Sequence, residues 1–110
     1  MPTDVSENLR NESVIVTAVG EIDLATSPAL RTRLQDAIGK HRMVIVDLSD
    51  VTFIDSTGLG VLIGGLRRVN EAGGEMRIVI ADPRVLKIFE ITGLTGLFSI
   101  HSSLAEATSA

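Results

Sequence analysis

The residues with chemical potential in this sequence are Asp55-Ser56-Thr57-Gly58-Leu59-Gly60. They stand where an apolar, β-branched run gives way to a helical pattern, so they open a helix. A Ser at such a point is by default the cap, its hydroxyl accepting from the helix's first unpaired N–H groups. The glycines then permit tight helix–sheet packing. A functional reading rests on the same physics. A helix N-terminus holds unpaired donors and a partial positive charge, so it tolerates an added anion. Phosphate on Ser56 would bring about 1.5 to 2 negative charges there without breaking the fold. The two readings are compatible.

Enzyme readings of the segment fail on spacing. Aspartic proteases use Asp-Thr/Ser-Gly, but Thr57 intervenes and Gly58 comes one place late; a half-molecule would also need a second carboxylate. A nucleophile elbow needs a glycine two residues before Ser56, where Ile54 stands. Gly58-x-Gly60-x-x-x-Gly64 is one residue longer than a dinucleotide fingerprint, and no Lys follows at Walker spacing. His41 and His101 have no second His or carboxylate at ligand spacing, so both read as surface residues. Arg67-Arg68 reads as a solvated helix face. Asp23, close after Gly20, reads as a turn former. Parallel strands, however, end on one edge, which would bring Asp23 near Asp55. No catalytic residue, cofactor or metal site is expected.

The elements that must position these residues follow from the remaining sequence. The chain has 110 residues, 45% hydrophobic and 22% charged, which fits one domain with a single core. Phe53, Phe89 and Phe98 are its only aromatics, so that core is aliphatic. The absence of cysteine excludes disulfides, a thiol nucleophile and zinc–thiolate or iron–sulfur sites. A net charge of −4 disfavours nucleic-acid binding. Met-Pro-Thr-Asp does not read as a secretory signal, and Gly58 to Leu66 falls far short of the ~20 residues of a membrane span, so a cytoplasmic domain is expected.

Val14 to Val19 reads as a buried strand, with Val5 to Arg10 pairing to it as a hairpin edge through Asn11-Glu12. Gly20-Glu21-Ile22-Asp23 reads as a loop. Thr26 or Ser27 caps a helix with Pro28 at its first position, Leu30, Leu34, Ala37 and Ile38 facing the core, and Gly39 closing it. Met43 to Leu48 is a central strand, broken by Ser49-Asp50, and Phe53-Ile54 is a short apolar return. A second helix runs to about Glu71, with Leu59, Leu62, Ile63, Leu66 and Val69 on its apolar stripe. Met76 to Ile80 is another strand, Asp82-Pro83 starts a third helix, Leu97 to Ile100 is a last strand, and Ser103 to Thr108 a terminal helical turn. The order β-β-α-β-α-β-α-β predicts an α/β domain with a mixed sheet of four to five strands covered by helices.

Residues 46–62, Val-Asp-Leu-Ser-Asp-Val-Thr-Phe-Ile-Asp-Ser-Thr-Gly-Leu-Gly-Val-Leu, resemble the signature of the STAS domain, and specifically of bacterial anti-sigma factor antagonists. Gly20-Glu21-Ile22-Asp23 is similar to that family's second motif, and Gly73-Gly74-Glu75-Met76 and Ile91-Thr92-Gly93-Leu94 to its later landmarks. The resemblance covers about residues 8–108 of a single domain spanning 1–110. It implies a passive switch. The unphosphorylated antagonist binds an anti-sigma factor with a GHKL-type serine-kinase fold and frees a sigma factor. Phosphorylation of Ser56 ends the binding, and a PP2C-type phosphatase reverses it. The resemblance places Asp23 and Asp55 beside the acceptor, and Thr57, Gly58 and Leu59 on the rim of the partner surface, with Leu59 as an apolar contact. Leu24 departs from the polar or aromatic residue usual after the loop Asp, which bears on partner preference. Two other classes stay open: a STAS scaffold in a larger signalling assembly, and a nucleotide-binding module using the glycine-rich helix start.

Overall fold

The computed structural model describes residues 4–10 and 13–109. Two long strands begin it: β1 (Asp4–Arg10) runs antiparallel to β2 (Ser13–Ile22), the hairpin edge the sequence predicts. The expected turn at Asn11-Glu12 lies outside the described residues. Next come α1 (Ser27–Ile38), β3 (Met43–Ile54), α2 (Ser56–Glu71), β4 (Glu75–Val79), α3 (Pro83–Ile91), a 3-10 turn (Leu94–Gly96), β5 (Ser99–His101) and α4 (Leu104–Ser109). The five strands lie in chain order in one sheet, and β2 through β5 are mutually parallel.

One face of the sheet carries the main core. Val14, Val16 and Ala18 of β2, Val44, Val46 and Leu48 of β3, and Met76 and Ile78 of β4 pack there. Against them lie Leu30 and Leu34 of α1, Leu59 and Leu62 of α2, and Val85 and Phe89 of α3. Phe89 meets Phe98 edge to face at 5.8 Å. The alternate strand residues Ile15, Ile45 and Val79 form a smaller cluster on the opposite face with Ala107 of α4. Arg77 fastens that helix, donating from Nη1 to the Ala107 carbonyl at 2.7 Å.

Three boundaries correct the sequence reading. Gly20 to Ile22 is strand and not loop, because β3 is long enough to pair with β2 as far as Ile54. Ser49-Asp50 does not break β3. Thr17 pairs with Asp47 but Val19 with Asp50, and Gly20 with Val51 but Glu21 with Phe53, so β3 absorbs one extra residue at each of two bulges. The Asp47 carboxylate stabilises the first, accepting from the Ser49 N–H at 3.0 Å and its hydroxyl at 2.6 Å. The last strand starts at Ser99, since the 3-10 turn and buried Phe98 take up the residues before it.

Gly58 shows how closely α2 meets the sheet. It is buried, and a β-carbon added there would stand 2.7 Å from both Ile22 Cγ2 and Ile54 Cγ1. At Gly60, half a turn on, an added β-carbon meets nothing within 4 Å. The two glycines therefore respond oppositely to the same change. Gly58→Ala should lower the melting temperature by about 4 °C or more, since overpacking costs about 1–3 kcal/mol. Gly60→Ala should raise it by a few degrees, as alanine in an open helix position gains roughly 0.5–1 kcal/mol. Thermal melts of the two variants check this, and equal effects would contradict the packing.

Candidate functional site

Parallel strands finish on one edge, and here β2 and β3 finish together: the Asp55 N–H donates to the Ile22 carbonyl at 3.0 Å. Asp55, not Ser56, is the cap of α2. Its Oδ1 accepts from the Thr57 N–H at 2.9 Å, the Gly58 N–H at 3.1 Å and the Thr57 hydroxyl at 2.5 Å. The backbone N–H of Leu24, from the loop after β2, adds a weaker favourable influence on the charged carboxylate. The sequence reading gave the capping role to Ser56. A carboxylate one residue earlier, in extended backbone, reaches the same donors and is the stronger acceptor.

Ser56 is thereby released. It occupies the first helical position, is exposed, and its hydroxyl bonds to no described residue. Thr57 differs: it is half-buried and its hydroxyl is engaged by Asp55. Of the two adjacent hydroxyls, that of Ser56 is the exposed one.

Asp23 behaves as a turn former. Its Oδ1 accepts from the Ala25 N–H at 3.0 Å and the Thr26 N–H at 3.1 Å, and its own N–H donates to the Thr26 hydroxyl at 2.9 Å. Thr26 sits at the cap position of α1 without a side-chain capping bond, since the Asp23 loop already supplies the acceptor. The bond from the Asp55 N–H to the Ile22 carbonyl places this loop beside the start of α2, as the parallel topology predicts.

Two of the expected rim residues lie inside. Gly58 is a close-packing position, and Leu59, expected to offer an apolar contact, is 8% exposed and part of the core. The apolar surface near Ser56 comes instead from Leu24, 73% exposed, and Phe53, 43% exposed. Leu24 carried a sequence signal as an apolar residue in a polar loop. Phe53 carried none, because its outward direction depends on the second bulge of β3.

Among the described residues no group of three His, Asp or Glu side chains is placed to hold a metal ion. The helix-start donors a nucleotide phosphate would need are already bonded to Asp55. No helix formed by the described residues is long and apolar enough to cross a membrane.

Comparison with known proteins agrees with this fold. The STAS domain family matches residues 3–107. This chain belongs to the STAS domain family. It is 34% identical over 99 residues to the anti-sigma-B factor antagonist of Bacillus subtilis, covering 90% of this chain and 89% of that one. It is 31% identical over 96 residues to the anti-sigma F factor antagonist of Paenibacillus polymyxa, covering 86% of this chain and 82% of the relative. The crystal structure of an anti-sigma factor antagonist from Mycobacterium paratuberculosis superposes with a TM-score of 0.90 at 25% identity, over 97% of this STAS domain and 92% of that chain. These relatives are regulatory proteins.

The capping bonds hold the Asp55 carboxyl below its ordinary value of 3.8. The Thr57 hydroxyl is the largest cause, followed by the Gly58 N–H. Desolvation opposes them, and the Thr57 and Leu24 N–H groups add to the lowering. A depressed carboxyl contributes stability that is complete above its unfolded value and is lost as pH falls through its lower folded value. Asp55→Ala should therefore melt below the wild type at pH 7, and the gap should shrink as pH falls below 3.8. Paired thermal melts from pH 7 to pH 2 read this directly. A gap independent of pH would remove the carboxylate's charge as its source.

Proposed function

We propose that this STAS domain is an anti-sigma factor antagonist: with Ser56 free it binds an anti-sigma factor that is also a serine kinase, and phosphate on Ser56 ends that binding. The observation that carries the reading is the exposed, unbonded hydroxyl at the first position of α2, between two residues whose side chains are committed to the cap. The names of the Bacillus and Paenibacillus relatives supply the partner class. A PP2C-type phosphatase would reset the switch.

The mechanism is local. A phosphate on Ser56 would add about 1.5 to 2 negative charges next to the Asp55 carboxylate. The nearest helix N–H groups are already bonded to Asp55, so the helix offers the phosphate few free donors. The macrodipole still favours an anion at this end, typically by 0.3–1 kcal/mol, so the fold tolerates what the interface does not. A like-charge or unpaired contact sealed in an interface costs several kcal/mol, and about 1.4 kcal/mol is already tenfold in affinity. Leu24 and Phe53 would form the apolar part of the contact, and the Asp23 loop its polar rim.

Incubation with the cognate anti-sigma kinase and ATP should add one phosphate, and Ser56→Ala should abolish the addition. Ser56→Glu should melt within a few degrees of the wild type and bind the anti-sigma factor at least tenfold more weakly, while Ser56→Ala should bind constitutively. Mass spectrometry, thermal melts and calorimetric titration decide it. Phosphate mapped to Thr57, or wild-type binding by Ser56→Glu, would overturn the reading.

A further inference from the structure

Two adjacent hydroxyls open α2, and their surroundings differ. The Thr57 N–H and hydroxyl both donate to Asp55 Oδ1, at 2.9 Å and 2.5 Å, so the side chain is fixed in one rotamer with its oxygen against the carboxylate. Ser56 stands between these two bonded residues, exposed, and its hydroxyl bonds to no described residue. The same device recurs in β3. There Asp47 Oδ1 accepts from the Ser49 N–H at 3.0 Å and from its hydroxyl at 2.6 Å. In both places an aspartate holds the hydroxyl two residues on, and the intervening residue takes no part.

The difference bears on phosphoryl transfer. In that reaction a hydroxyl oxygen attacks the γ-phosphorus of ATP and the bond from that phosphorus to the β,γ-bridging oxygen breaks. ADP leaves, and the hydroxyl proton passes to a base of the kinase. Catalysis is mostly positioning, with the attacking and leaving oxygens roughly in line. The Ser56 hydroxyl is free to turn onto that line. Thr57 must first give up its bond to Asp55 and, half-buried, offers less surface to an incoming phosphate. Nor is Asp55 suited to serve Thr57 as a base. Its Oδ1 already takes three donors, and these bonds hold the carboxyl below its ordinary value, which weakens it as a proton acceptor.

We infer that Asp55 selects the acceptor: by holding the Thr57 hydroxyl and filling the cap of α2, it confines phosphate to Ser56. Asp55 is a positioning residue in this role, acting through Thr57 and the helix start. Without its carboxylate the first N–H groups of α2 lose their acceptor, and Ser56 is the next side chain able to supply one. That engages the Ser56 hydroxyl and releases the Thr57 hydroxyl, so loss of Asp55 exchanges the roles of the two. The inference rests on the proposed function and adds to it the residue that decides between two neighbouring hydroxyls.

Incubation with the cognate anti-sigma kinase and ATP, below each variant's melting temperature, tests it once the phosphate is mapped by tandem mass spectrometry. Wild type should carry phosphate on Ser56, and so should Asp55→Asn, whose amide oxygen still accepts both Thr57 bonds. In Asp55→Ala the share on Thr57 should rise at least tenfold. In the Ser56→Ala background, adding Asp55→Ala should restore phosphate on Thr57, whereas adding Thr57→Ser should give none, because Asp55 still holds the hydroxyl. Phosphate at position 57 of that last variant would show that the kinase merely prefers serine to threonine, and the inference fails. Should the Asp55→Ala variants not fold, the Thr57→Ser variant, which keeps the cap, decides alone. If wild type carries phosphate on Ser56 and folded Asp55→Ala keeps it there, the inference fails and the proposed function stands. If wild type carries it on Thr57, or carries none, both fail.

Discussion

One carboxylate holds the functional edge of this protein together. Asp55 accepts the N–H groups of Thr57 and Gly58 at the start of α2 through its carboxylate and donates its own N–H to the Ile22 carbonyl at the end of β2. It thereby joins two segments that are distant in sequence and meet because β2 and β3 are parallel neighbours. Unpaired helix-start donors would otherwise face water or a ligand. Satisfying them with Asp55 leaves the next hydroxyl free of structural duty. Ser56 keeps an exposed hydroxyl because its neighbour has taken over the cap.

The close approach of α2 to the sheet determines which side chains this edge leaves exposed. With no β-carbon at residue 58, the first turn of the helix sits directly on Ile22 and Ile54. Leu59 then follows the helix's inward face into the core. An apolar contact on this edge must come from side chains that the helix does not carry inward, and Leu24 and Phe53 meet that condition. Large exposed apolar side chains beside a free hydroxyl are a mark of an interaction surface, whereas single ones scattered elsewhere are ordinary.

The rest of the architecture serves this edge from a distance. Parallel strands with helical crossovers bring every β-to-α connection out on the same side of the sheet, which is why a loop after β2 and a helix after β3 share a site. On the opposite face of the sheet α4 packs over Ile15, Ile45 and Val79, secured through Ala107 and Arg77.

Much of this was legible in residue order. The β-branched runs, the Pro28 and Asp82-Pro83 helix starts and the helical spacing of Leu30, Leu34, Leu62 and Val69 specify the strands and helices, because secondary-structure periodicity is a local property. The signature around Asp55-Ser56 identified the family, since its spacing is long and continuous. The bulges of β3, the extension of β2 to Ile22, the transfer of the cap from Ser56 to Asp55 and the burial of Leu59 were not legible. Each depends on which strand lies beside which and in what register, and on how far a side chain reaches once the backbone is placed. Local sequence determined that a helix starts at residues 55–56. Packing between β2, β3 and α2 decided which of its side chains face inward and which stay exposed.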